Sequence, residues 1–454
     1  MTTADTQAPP RAEPPKDPGR PGPRLRRVHP LRAELLRGIG PWAGAAVALV
    51  IGTVLYEKAD PFTDWQTQWS EGAELLRSGT VLFGGSVTIA AGCWQGGRER
   101  RRKTLDLRAS AARGRVRQTL VAVAPVVLWP IVAHFAGFLA VILATAPYAS
   151  AGGPYVAVAV ADSVAVAALG VIGFVVGRLV PWRAAPPLLG VGCWLFLVSY
   201  QGDTGAIQQG MSWLNPADQS PFDGLKPVWW YAPVSVLWTG GLAATVLLLY
   251  AARRRAVVIV PLTAAVLGAT VLVQTGDGVW RTDPATTRLI CDDGSPQICM
   301  EARNGGLRKQ IRAALGEVHD TLRGVPGAPV RWVDIADSRL KKGEAQLPNP
   351  SMDVLRGRLT NPEAYARWAV DGMLGSCDTR LFKATRAEWA HAADIDFAIA
   401  QWLTPDPERW PWATPASRAH LTRLEAKSPA DARDYLARRF AVDACTGPGK
   451  VPAP

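Results

Sequence analysis

Long uncharged apolar runs dominate the first three-fifths of the chain, and charged residues fall between them rather than alternating with them. The stretches 41–56, 120–146 and 155–177 are almost free of charge. Each is long enough, at about 1.5 Å per helical residue, to cross most or all of a hydrocarbon layer about 30 Å thick. The pattern predicts spans at 39–56, 78–96, 119–146, 155–177, 184–200, 230–252 and 256–274. The fifth is the least regular, because Pro186, Pro187 and three Gly interrupt or flank it. A membrane helix tolerates Pro where neighbours re-satisfy the freed carbonyl, so the span is kept. Beyond 275 the runs end and amphipathic periods take over. The expectation is an α-helical polytopic membrane protein of about seven transmembrane helices over 29–274, followed by a mainly helical (α+β) exoplasmic domain over 275–454. Residues 1–28, rich in Pro, Arg and acidic residues, read as a disordered cytosolic tail with no signal-peptide core.

Composition adds a net charge of +12 in 454 residues. A basic chain can be a nucleic-acid binder, but here the excess has another origin. Residues 275–454 hold 25 Lys/Arg against 23 Asp/Glu, whereas 1–274 hold 25 against 15. Within the membrane half the basic residues sit on alternate loops. The tail carries eight, the loop 97–118 nine, and Arg178, Arg183 and Arg253, Arg254 and Arg255 complete that side; the opposite loops hold Lys58, Arg77 and Lys226. That is 22 against 3, the asymmetry expected when positive charges are retained inside. The N-terminus is therefore expected in the cytosol of a bacterial cell and, after seven crossings of the plasma membrane, the C-terminus outside. Trp42, Trp94 and Trp182 near inner ends, and Trp229, Trp230 and Tyr231 at an outer one, agree with this frame.

Cysteine usage gives a second indication. Cys93 and Cys193 lie in spans, while Cys291, Cys299, Cys377 and Cys445 all lie in the C-terminal domain, an even number in a compartment expected to be oxidising. Four cysteines allow three pairings, and Cys291–Cys299 with Cys377–Cys445 is favoured, because Asp292, Asp293, Gly294, Ser295 and Pro296 can turn a short loop back on itself. Four free thiols or a metal site are the alternatives; the spacing lacks CxxC and has no nearby His pair.

The most informative segment is the loop after the second span. Arg98, Glu99, Arg100, Arg101, Arg102 and Lys103 are followed by Thr104, Leu105, Asp106 and Leu107, then by Arg108, Ala109, Ser110, Ala111, Ala112 and Arg113. This order resembles the cytosolic loop of permease subunits of ABC-2-type exporters. In that family the segment forms a short coupling helix that docks on an ATP-binding cassette ATPase. The resemblance implies that Glu99, Thr104, Leu105, Asp106 and Leu107 face such a partner, that the membrane subunit pairs with a copy of itself or a sister subunit, and that 29–37 forms an interfacial elbow helix. It also implies an apolar outer loop, 201–229, dipping toward the membrane. A stop-transfer loop would account for the arginines but not for the Thr-Leu-Asp-Leu order. The chain itself carries no GxxxxGK[ST]; Gly447, Pro448, Gly449 and Lys450 lack the first glycine. A rival is a non-transport membrane anchor or sensor presenting an exoplasmic binding domain, and a second is a membrane-bound enzyme.

Inside the spans, Asp162 is the one acidic residue well within an apolar run, and a carboxylate in hydrocarbon is costly unless paired. It is either a cavity-facing functional group or a structural hydrogen-bonding partner of a neighbouring helix. His134 is the other intramembrane polar candidate, with a helix tie as the simpler role. Gly92 with Gly96, and Gly173 with Gly177, have the spacing that lets helices approach closely, within the chain or in a dimer. In the C-terminal domain Thr385 to Glu388 fits a capping box before a helix at 389–403, Ser428 with Pro429 fits a helix start, and 330–335 alternates like a strand. Trp368, Trp389 and Trp402 are expected in the core. No HExxH or GxSxG occurs, His319, His391 and His420 are scattered, and no catalytic residue, metal site, cofactor or nucleic-acid partner is expected.

Overall fold

A computed structural model describes residues 30–58, 65–103, 114–180, 182–199, 210–218, 224–334, 340–350, 354–375, 385–406, 411–442 and 448–454. The first helix, α1 (Pro30–Arg37), is followed by α2 (Gly40–Glu57), α3 (Trp69–Gly96), α4 (Arg98–Arg101), α5 (Arg115–Thr145), α6 (Val156–Leu179) and α7 (Ala185–Ser199). After these come α8 (Tyr231–Ala251) and α9 (Ile259–Thr275), the latter extended at both ends by tight helical turns. Among the described residues six helices are long and apolar enough to cross a membrane: α2, α3, α5, α6, α8 and α9. The fifth expected span is not among them. Helix α7 has 15 residues, about 22 Å of rise, which is short of the hydrocarbon thickness. The second expected span also needs correction, because α3 starts at Trp69 rather than 78 and passes through a π-helical stretch, Ser78–Gly84.

Helices α3 and α6 form the buried axis of the bundle, with α2, α5 and α8 around them, α7 against α3 and α9 against α8. The outward faces carry large apolar side chains such as Leu49, Val132, Leu139, Leu249 and Leu267. A continuous exposed apolar belt of this kind is unfavourable in water and fits a lipid surround. The close approach of α3 and α6 is made by the glycines at both GxxxG spacings. A Cβ on Gly92 would lie 2.3 Å from the Gly170 carbonyl, and one on Gly177 2.0 Å from that of Cys93. These glycines are thus used within one chain. A second pair, Gly40 and Gly44, brings α2 close to Pro125 and Trp129 of α5, at 2.7 and 2.8 Å from where a Cβ would lie.

The C-terminal region combines two packed parts. A mixed sheet has β3 (Leu289–Cys291) antiparallel to β4 (Gln297–Glu301), with β5 (Arg331–Val333) and β6 (Glu344–Gln346) following in parallel. The crossover from β4 to β5 contains α10 (Arg308–Ala314) and α11 (Gly316–Leu322). Helix α12 (Pro362–Gly375) closes this core through Tyr365, Ala366 and Ala369, which pack with Ile298, Ile311 and Trp332. Helices α13 (Arg386–Leu403), α14 (Pro415–Glu425) and α15 (Pro429–Phe440) build the second core around Ile395, Ile399, Leu424 and Tyr435. The capping box at Thr385 and Glu388 is formed, and Ser428 caps α15 with Pro429 in its first turn. The region contains more strands than the one or two expected. Trp368 is exposed rather than core, whereas Trp332 is fully buried.

This region sits on one end of the bundle. Strand β1 (Leu225–Pro227), just before α8, pairs with β2 (Trp280–Thr282), just after α9. The Gly306 amide donates to Ser150 Oγ at 2.9 Å, and Arg356 Nε to Gln66 Oε1 at 3.1 Å. Arg98, Arg178 and Arg183 lie at the opposite end.

Candidate functional site

Two polar clusters interrupt the apolar bundle, and charge pairing explains both. The first lies inside it. Arg77, treated from the sequence as a loop residue, is 2% exposed in α3, and its Nε hydrogen is shared between both carboxylate oxygens of Asp162 at 3.1 and 3.3 Å. An isolated buried charge costs several kcal/mol, so each group makes the other tolerable. Arg77 Nη1 also reaches the carbonyl of Asp218 at 3.4 Å. One helical turn further along, His134 of α5 stands between Thr80 and α6. Its Nε2 faces the Ala159 carbonyl at 2.9 Å; a carbonyl only accepts, so Nε2 is the protonated nitrogen of the neutral ring. Nδ1 then accepts from the Thr80 hydroxyl at 3.0 Å. The π-helical turns fall on this stretch of α3, and such turns recur where a helix must re-aim side chains.

The cluster is not sealed. Asp162 lines a narrow cleft with Trp213, Asn215, Tyr231, Ser235 and Trp238, with room for about one water molecule. The segment 210–218 forms one wall and is knitted into the bundle. Asn215 donates to the Leu197 carbonyl at 2.8 Å, and Trp238 Nε1 to that of Leu214 at 3.0 Å. Asp162 is thus both paired and cleft-facing, and His134 is a three-helix tie.

The second cluster is at the basic end. Arg98 makes a forked contact with Glu34 of α1 at 2.7 and 2.8 Å. Beside it Glu99 makes a two-point contact with Arg178 of α6, one arm at 2.8 Å. Both members of the second pair are largely buried, with side-chain exposures of 8% and 12%. Two-point guanidinium–carboxylate contacts are geometrically specific and the stronger class of ion pair. Trp129 Nε1 adds a bond from α5 to the Leu35 carbonyl at 2.9 Å. Glu99 therefore faces inward and holds α4 to α6. Thr104, Leu105, Asp106 and Leu107 lie outside the described residues.

Of the four C-terminal cysteines, Cys291 and Cys299 are bonded across the β3–β4 pair, where they stand directly opposite each other. Cys377 and Cys445 lie outside the described residues. Where the C-terminal region meets the bundle, Glu301 pairs with Arg303 at 2.6 Å and Asn304 donates to Asp334 at 2.8 Å. Burial raises both carboxyls above their ordinary values, Asp334 adding to the effect on Glu301. On α13 the two carboxylates that follow His391, Asp394 and Asp396, are engaged with different partners. Asp396 pairs with Arg439 at 2.7 Å, and Asp394 accepts from the Thr414 hydroxyl at 2.6 Å.

Sequence reasoning missed Arg77, Arg178 and Glu34 as structural partners. Their signal was a charge at the edge of an apolar run, which is also how a loop residue looks. Compared with protein-family models, curated proteins and solved structures, the chain matches none.

Proposed function

We propose that the chain is the permease-type membrane subunit of an ABC-2-like exporter, driven by a separate ATPase that docks on the basic loop 97–118. In this reading the basic end of the bundle is cytosolic, the membrane is the bacterial plasma membrane, and the C-terminal domain is outside. The chain crosses seven times, the fifth crossing being made by α7 together with segment 210–218. Asn215 of that segment bonds to the Leu197 carbonyl of α7, and β1 follows it in the chain. The active assembly has two membrane subunits, identical or not, and two ATPase subunits.

The observation that carries the reading is the double clamp on α4. A motor pressing on the loop moves helices only if the loop is stiffly joined to them. The ion pairs Arg98–Glu34 and Glu99–Arg178 tie the start of the loop to α1 and α6, and α3 leads directly into it. Arginines retained only to set orientation need no buried carboxylate partners. Docking itself then falls to Thr104, Leu105, Asp106 and Leu107, two leucines alternating with polar residues that a partner can pair with.

The test is affinity purification of the detergent-solubilised protein with identification of what accompanies it. An ATP-binding cassette subunit is expected with the native chain and is expected to be lost from L105D/L107D, while the variant keeps its elution volume. Co-purification that survives the double substitution would move docking elsewhere.

A further inference from the structure

The basic end of the bundle also carries a cleft that the clamp leaves open. It lies between the end of α3, the end of α6 and the first turn of α7, with Gly97, Gly177 and Pro186 beneath and Arg100, Arg101 and Arg183 around it. Glu34 and Glu99 are engaged with Arg98 and Arg178, and among the described residues no carboxylate pairs with the three cleft arginines. Arg101 is fixed in place, its guanidinium 4.2 Å above the Trp94 ring and hydrogen-bonded to the Trp94 carbonyl. Burial, and then the charges of Arg183 and Arg102, hold it below its ordinary value. Like charges held together without a counter-charge make a focused positive potential, which attracts an anion.

The surroundings identify the kind of anion. Trp94 and Trp182 stand exposed at the rim, as amphipathic rings do at the headgroup level. From Pro186 toward the middle of the bundle, α7 presents Leu188, Val191 and Leu195 on one outward face, each about half exposed. A nucleotide would gain nothing from that stripe, and the cleft has room for only about two water molecules, too little to bury a base.

We propose that this cleft binds the phosphate headgroup of an anionic phospholipid, with an acyl chain lying along Leu188, Val191 and Leu195. The site does not require an ATPase partner and stands or falls separately from the exporter reading. In it Arg101 and Arg183 meet the phosphate oxygens, Arg100 closes the outer side, and Trp182 covers the glycerol backbone.

The experiment is native mass spectrometry of the full-length protein, released from detergent after exchange against phosphatidylglycerol or phosphatidylcholine, with inorganic phosphate as a competitor. The wild type is expected to retain phosphatidylglycerol at least about tenfold more than phosphatidylcholine, as three basic residues near a headgroup imply. R101Q/R183Q is expected to lose most of that preference and R101K/R183K to keep it. Millimolar inorganic phosphate is expected to leave the adduct in place. Equal retention of the two lipids by the wild type overturns the proposal, as does a preference that R101Q/R183Q leaves unchanged. Displacement by inorganic phosphate alone makes the cleft a simple anion site. Should R101Q/R183Q fail to elute as a single species, the wild-type preference and the phosphate competition still decide.

Discussion

Replacing Gly177 by Ala tests the packing on which the bundle depends. The seam between α3 and α6 is reciprocal: Gly92 and Gly96 of one helix lie on the carbonyls of Gly170 and Phe174, and Gly173 and Gly177 of the other on those of Ile89 and Cys93. A methyl group at 177 would stand 2.0 Å from the Cys93 oxygen, whereas ordinary contact begins near 3.4 Å. The helices must therefore move apart locally by about 1.4 Å, since the obstacle is backbone and has no alternative rotamer. Overpacking of this kind costs roughly 1–3 kcal/mol, and the absence of side-chain relief favours the upper end. Against it stands the better helix propensity of Ala, about 1 kcal/mol. The net expectation is a loss of about 2 kcal/mol. Gly52, on the outside of α2, supplies the control, because a Cβ there meets nothing within 4 Å. Gly52→Ala should be neutral or mildly stabilising. Unfolding by graded sodium dodecyl sulfate in mild detergent, followed by tryptophan fluorescence, measures both variants against the parent. Equal midpoints for Gly177→Ala and Gly52→Ala would refute the seam and return the glycines to a dimer interface.

Two further outcomes follow from the charged groups. Arg77→Met leaves Asp162 buried without its cation and should cost about 3–5 kcal/mol in the same assay, while R77M/D162L should recover most of the loss; a double variant as weak as the single would show that the pair does more than neutralise itself. In the C-terminal region, burial and then Arg312 push His319 down to about 4. With a folded value below the unfolded one near 6.5, its contribution to stability is complete above about pH 6.5 and is lost as the pH falls toward 4. The thermal midpoint should therefore decline over that window and decline less in His319→Gln; identical profiles would remove His319 as the cause.

The spans were legible in the sequence because hydropathy is a local sum: a run of apolar residues is unfavourable in water whatever lies elsewhere in the chain. Cap signatures at Thr385 and Ser428 were legible for the same reason, since donor and acceptor lie three residues apart. The Cys291–Cys299 bond belongs with them, its partners being joined by a short turn. Where the reading stopped, the partner was distant. Arg77 looked like a loop residue because its carboxylate is 85 positions away. The shortness of α7 was hidden because an apolar run does not by itself show where its helix stops.

What the residues determined by themselves was which stretches avoid water, where helices start, and on which side of the bundle the arginines gather. Only the tertiary arrangement decided which glycines meet, which charges neutralise each other inside the bundle, and how short strands find their places in the mixed sheet. Backbone approach and ion pairing depend on distances between segments far apart in the chain, and those distances exist only once the helices have packed.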